Sequence, residues 1–252
     1  MEALSSNNSG CLTTLYEGYA SVTTTVVKTI FCNTRCADYL LEFLLEPISF
    51  LKTVYHYLRG RVSVENFTLH RLNPTEVKAD QVAVLLIHGA ACNQGSWISL
   101  AERVEKETMA NFFTIDLNGD AWPWSYDNSM TAFSRDAEKV GKRIDEIKAQ
   151  YTDCGFDPPK IVVVGHSRGG GLGQFAAPRD DVDLVITLGG PCPSPMEKVL
   201  DITGDFDHLV PERSESPQGR VKSTHMGLLY NDDIHDIILQ QIAACKLGTT
   251  AG

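Results

Sequence analysis

Three residues of this chain have the types and the order needed for nucleophilic acyl transfer: Ser167, Asp207 and His225. A serine hydroxyl is a weak nucleophile until a base takes its proton, and an imidazole does this best when a carboxylate holds its tautomer. Ser167 stands in Gly165-His166-Ser167-Arg168-Gly169, a G-x-S-x-G pattern, after the apolar run Ile161-Val162-Val163-Val164 and before a small-residue run able to open a helix. A strand entering a helix through so tight a turn leaves no room for side chains at its edges and holds the serine strained, with its hydroxyl raised. Two later loops carry the partners. Gly204-Asp205-Phe206-Asp207-His208-Leu209-Val210 follows an apolar run and offers Asp205 or Asp207 as the acid; Ser223-Thr224-His225-Met226-Gly227 precedes the last helical pattern. His56, His70, His166, His208 and His235 have no partner assembled by the sequence and are read as hydrogen-bonded or exposed imidazoles.

Such groups must meet at the carboxyl ends of strands, where loops converge. From Val62 onward the pattern alternates accordingly. Strands are expected over 82–87, 112–117, 161–164, 182–188 and 199–203, with a short one near 220–223 and one or two edge strands within 64–72. Helices are expected over 96–106, after the elbow serine, over 232–245, and over 131–151 with Ala132, Phe133, Ala137, Val140, Ile144 and Ile147 on one stripe. The fold class is therefore α/β, a mostly parallel central sheet with helices on both faces.

The bulk properties bound the partners. A chain of 252 residues with 43% apolar and 21% charged residues is an ordinary globular composition, long enough for one large domain and a small extension. A formal charge of −10 argues against nucleic acid or an anionic membrane as an electrostatic partner. Seven scattered cysteines without a C-x-x-C pair suggest reduced thiols in a cytosol and no zinc site. No secretory leader is visible in the opening MEALSSNNSG. Residues 1–60 read as an N-terminal helical extension and 61–252 as the catalytic domain. Within the extension, 36–59 is apolar on almost every side, broken at Pro47 and interrupted by Glu42, Glu46 and Lys52. Two readings stand: helices packed on the main domain, or a lid or peripheral membrane contact over a lipid-facing site.

With Ser167, Asp207 and His225 in that order, the chain resembles the α/β-hydrolase family from about Val64 to its end. The family's G-x-x-D-x-x-V loop matches at Gly204 to Val210 and falls on Asp207, with Asp205 second. His88-Gly89 after the 82–87 strand matches the family's oxyanion loop, which implies that the backbone amides of Ala90 and Arg168 stabilise the developing oxyanion. IHGAACNQGSW is similar to that loop in bacterial triacylglycerol-lipase-like members, and GHSRGG to the elbow of chlorophyllases. Ala90 departs from the bulkier residue that lipases often carry there. The resemblance implies hydrolysis of an acyl ester or thioester, a small-molecule or lipid-like substrate, with no cofactor and no metal. A serine peptidase and a non-catalytic scaffold on the same fold are the alternatives. Gly189 to Lys198 is too short for the family's inserted cap domain, so Trp122, Trp124 and Tyr126 in the 119–130 loop are the candidate substrate-lining residues.

Overall fold

The computed structural model describes residues 72–90, 92–104, 110–117, 129–191, 196–207, 209–210 and 219–248, with Pro47, Ser49, Leu51 and Tyr55 besides. Six strands are formed there: β1 (Val82–Ile87), β2 (Ala110–Ile115), β3 (Ile161–His166), β4 (Leu184–Leu188), β5 (Val199–Gly204) and β6 (Gly219–Val221). They pair in the order β2-β1-β3-β4-β5-β6, every neighbour parallel. The helices are α1 (Ile98–Val104), α2 (Met130–Asp153), α3 (Arg168–Gln174) and α4 (Asp232–Leu247).

The strands β1 to β5 are buried on both faces, which is why they read as largely apolar runs, whereas β6 is partly exposed. Alternate residues serve two cores. Val82, Val84 and Leu86 of β1 join Val162 and Val164 of β3 against Leu100 and Ala101 of α1 and Ile234, Ile238 and Ile242 of α4. Ala83, Leu85 and Ile87 join Ile161 and Val163 against Val140, Ile144, Ile147 and Tyr151 of α2 and Leu172 of α3. The chain leaves β1 over one face to β2, the first strand in the described order, and returns over the other face to β3. That reversal opens a crevice at the carboxyl ends of β1 and β3, where α/β sheets place ligands.

Strand β2 starts two residues earlier than the hydropathy suggests. Ala110 and Asn111 pair with Val82 and Ala83, and the buried Asn111 amide donates to the Tyr151 hydroxyl at 2.5 Å, which donates in turn to the Gln81 carbonyl at 3.1 Å. A buried polar residue with its partners supplied extends the strand where periodicity does not. The β4 strand starts at Leu184 rather than Val182, and α4 runs two residues past Cys245 to a left-handed Gly248 cap. Of the expected 64–72 edge strands only Leu72 is described, bridging Phe112. The 1–60 extension lies outside the described residues apart from its four helical positions.

Leu85 is fully buried between β2 and β3. Leu85→Ala is expected to cost about 2–5 kcal/mol of unfolding free energy, measured by denaturant titration; a cost within the scatter of surface substitutions would contradict this packing.

Candidate active site

The turn from β3 into α3 places Ser167 at φ 54° and ψ −124°, a left-handed backbone that a residue with a Cβ rarely adopts. Glycines make it feasible. A Cβ on Gly165 would lie 2.2 Å from the Gly169 carbonyl oxygen, and one on Gly169 would lie 2.3 Å from that of Ile87, so strand and helix approach as closely as backbone allows. The Ser167 amide donates to the Leu188 carbonyl at 2.8 Å, fixing the turn to the end of β4.

His225 and Asp207 are brought together. The imidazole Nδ1–H donates to Asp207 Oδ2 at 2.9 Å, and both residues are buried. The other carboxylate oxygen accepts the Leu209 amide at 3.1 Å. Asp205, the second candidate acid, is exposed. Loop backbone sets this pair: the Asp207 amide bonds the Gly204 carbonyl, and those of Asp205 and Phe206 bond Val221 and Ser223. The Gly189-Gly190 turn after β4 approaches the pair at Gly189 and the serine backbone at Gly190. A Cβ on Gly189, itself at φ +55°, would lie 2.6 Å from Asp207 Oδ2 and 3.1 Å from His225 Nδ1, and one on Gly190 would lie 3.2 Å from the Ser167 carbonyl oxygen.

His166 is the residue that sequence reasoning passed over. It is a hydrogen-bonded imidazole, but its partner is the site itself: Nε2–H donates to the His225 carbonyl at 2.9 Å, with the two rings 4.7 Å apart. Burial first, and then the neighbouring His225, push its pKa down from 6.5 to about 3. A neutral ring that donates from Nε2 braces the loop without adding charge beside it. The signal available was its place: a histidine closing a fully buried strand must face a partner, though hydropathy alone reads it as the end of the run.

The loop after β1 completes the rim. His88 Nδ1–H donates to the Gly89 carbonyl at 2.9 Å while Nε2 accepts the Leu117 amide at 3.2 Å, tying the loop to the end of β2. A Cβ on Gly89 would lie 3.1 Å from Ser167 Cβ, so the residue before Ala90 packs against the serine, and Arg168 opens α3 directly after it. Cys92 is no rival nucleophile, since burial pushes its thiol up to about 11. His235 donates from Nε2 to the Leu229 carbonyl at 3.0 Å, within the core behind α4. Trp122, Trp124 and Tyr126 lie outside the described residues, as do His56, His70 and His208. Among the described residues no cluster of histidine, cysteine and carboxylate side chains could hold a metal ion.

One expectation follows from His166. The unfolded chain binds a proton near pH 6.5 that the folded chain refuses until about pH 3, so stability rises with pH across that window. The expected slope from this group approaches ~1.4 kcal/mol per pH unit between the two values. His166→Gln should flatten it in urea titrations at pH 6 to 4; identical slopes in both proteins would contradict a buried neutral His166.

Comparison with known proteins bears on the fold and the family. Among solved structures, a bacterial membrane phospholipase A is 13% identical over 82% of this chain and 97% of its own, with a TM-score of 0.51. An alpha-beta serine hydrolase homologue from Coxiella burnetii is 13% identical over 68% of this chain and 88% of its own, TM-score 0.49. Mouse alpha/beta hydrolase domain-containing protein 10 is 17% identical over 65% and 89%, TM-score 0.47. No curated protein sequence matches the chain. The profile of the PGAP1-like alpha/beta domain matches residues 78–247, which hold all six strands and the Ser167, Asp207 and His225 loops. The chain belongs to the PGAP1-like alpha/beta domain family and has the α/β-hydrolase fold.

Proposed function

We propose that this protein is a serine hydrolase that cleaves carboxylic esters or thioesters through an acyl-serine intermediate. The observation that carries the reading is the 2.9 Å His225–Asp207 bond, buried across the Gly189-Gly190 turn from a left-handed Ser167. With Nδ1 committed to the carboxylate, His225 presents Nε2 as the base. Ser167 Oγ attacks the acyl carbonyl as His225 takes its proton; the ring then protonates the leaving alkoxide or thiolate, and water hydrolyses the acyl-enzyme by the reverse transfers. The backbone amides of Ala90 and Arg168 receive the developing oxyanion, each donor worth about 3–4 kcal/mol. Trp122, Trp124 and Tyr126 line the acyl side in this reading, and the substrate is a small-molecule or lipid-like acyl ester.

The N-terminal segment enters this proposal at one point. Ser49 is buried, and the hydroxyl of Thr224, next to His225, donates to its Oγ at 3.5 Å. A helical segment seated there with Leu51 mostly exposed favours a lid over the acyl site or a peripheral lipid contact. Among the described residues no helix is long and apolar enough to cross a membrane. Leu51→Glu should lower turnover of long-chain esters and liposome binding while sparing acetyl esters; equal losses, or none, would leave 36–59 as plain packing.

A p-nitrophenyl ester series from acetyl to palmitoyl tests the function. Wild type is expected to turn over, with its optimum reporting the pocket, and Ser167→Ala to be silent. Asp207→Asn should lower kcat by roughly 10³–10⁴-fold, as loss of the tautomer-holding acid does elsewhere, whereas Asp205→Asn should stay near wild type. Equal effects at the two aspartates would contradict the assignment, and a folded wild type inert to every ester would favour the scaffold alternative.

A further inference from the structure

We propose that Asp136 is a positioning residue for oxyanion stabilisation, acting through Arg168; the inference rests on the hydrolase reading. Asp136 lies on the inner stripe of α2 with Ala132, Val140, Ile144, Ile147 and Tyr151, and is only 2% exposed. A carboxylate in such a place is costly unless paired. Its buried partner is Arg168, whose Nη2 stands 2.9 Å from Asp136 Oδ2 with 9% of the arginine side chain exposed. Lys139 and Arg135 approach the other oxygen at 3.2 and 3.7 Å from much more exposed positions.

The arginine is gripped on a second side. Its Cζ lies 5.1 Å from the centre of the Phe133 ring, and Phe133 packs edge-on against Phe175 at 5.4 Å. One residue therefore does two things. Its backbone opens α3 directly after Ser167, and its side chain is clamped to α2.

That clamp adds a hold at the start of α3, whose far end is tied by Gln174 Nε2 donating to the Pro191 carbonyl at 2.6 Å. Its sequence RGGGLGQ carries four glycines, which favour a helix least among ordinary residues and offer no side chains for docking. A Cβ on Gly170 would lie 3.1 Å from Gly190 Cα, and one on Gly171 would lie 3.0 Å from Pro191 and 3.4 Å from Phe133. These approaches set how close α3 lies, while Arg168, Leu172 and Gln174 fix its rotation about its own axis, Arg168 at the turn that carries the serine. An oxyanion donor works only within tenths of an ångström of its place. In this proposal the Asp136–Arg168 ion pair acts on the reaction through the Arg168 backbone amide.

The test compares the full-length wild type with Asp136→Asn, Arg168→Lys and Arg168→Met. It reads kcat, KM, melting temperature and inhibition by a trifluoromethyl ketone, whose serine adduct bears the oxyanion. Asp136→Asn is expected to lower kcat roughly ten- to a hundredfold, weaken the ketone in proportion, and leave KM near wild type. Arg168→Lys should retain more activity than Arg168→Met. Folded Asp136→Asn with unchanged kcat and ketone affinity, in a wild type that turns over ester, would overturn the inference and leave the hydrolase reading standing. Should the Asn variant not fold, the two Arg168 variants decide: equal kcat and ketone affinity for Lys and Met overturns the inference. A wild type that turns over no ester would end both.

Discussion

The constraint on which the rest of the structure depends is the left-handed backbone of Ser167. Holding a residue with a Cβ at φ 54° costs on the order of 1–3 kcal/mol and persists only where the surroundings leave no alternative. Here they leave none. Gly165 and Gly169 are pressed against backbone from below, Gly89 and Gly190 flank the serine, and the Ser167 amide is bound to the end of β4. Relaxing the turn would require the sheet and α3 to separate.

The sheet supplies that rigidity. Its central strands are closed on both faces by apolar residues with almost no solvent exposure, so β1, β3 and β4 end in fixed register where the His88-Gly89 loop, the Ser167 turn and the Gly189-Gly190 turn begin. Three polar side chains at this end are committed to holding it. His88 holds the first loop to β2, His166 holds the His225 backbone, and Asp207 holds the His225 ring. A site built this way has little to reorganise when charge develops in it, which is the physical basis of electrostatic catalysis.

Much of this was legible in the sequence because β-branched runs and glycine turns report strands buried on both faces and the tight corners between them. The order Ser167, Asp207, His225 could be read, and so could the helix stripe over α2. The choice between Asp205 and Asp207 could not, since two residues apart in a loop only backbone geometry decides which carboxylate faces inward. Asp136 escaped for a different reason. It occupies an inward position of α2, but hydropathy scores it as solvent-facing, and its partner Arg168 lies more than thirty residues away in the chain. His166 was hidden by the strand it closes, where an imidazole looks like an interruption rather than a brace. Asn111 displaced the start of β2 similarly: a satisfied buried amide is invisible to periodicity.

The central claim is that Ser167 is an activated nucleophile. Its most direct measurement is intact-protein and peptide mass spectrometry after exposure of the purified full-length protein to a fluorophosphonate. The account predicts a single adduct, on Ser167, lost in a folded His225→Ala variant. No adduct on folded wild type, or an adduct on another residue, would contradict it.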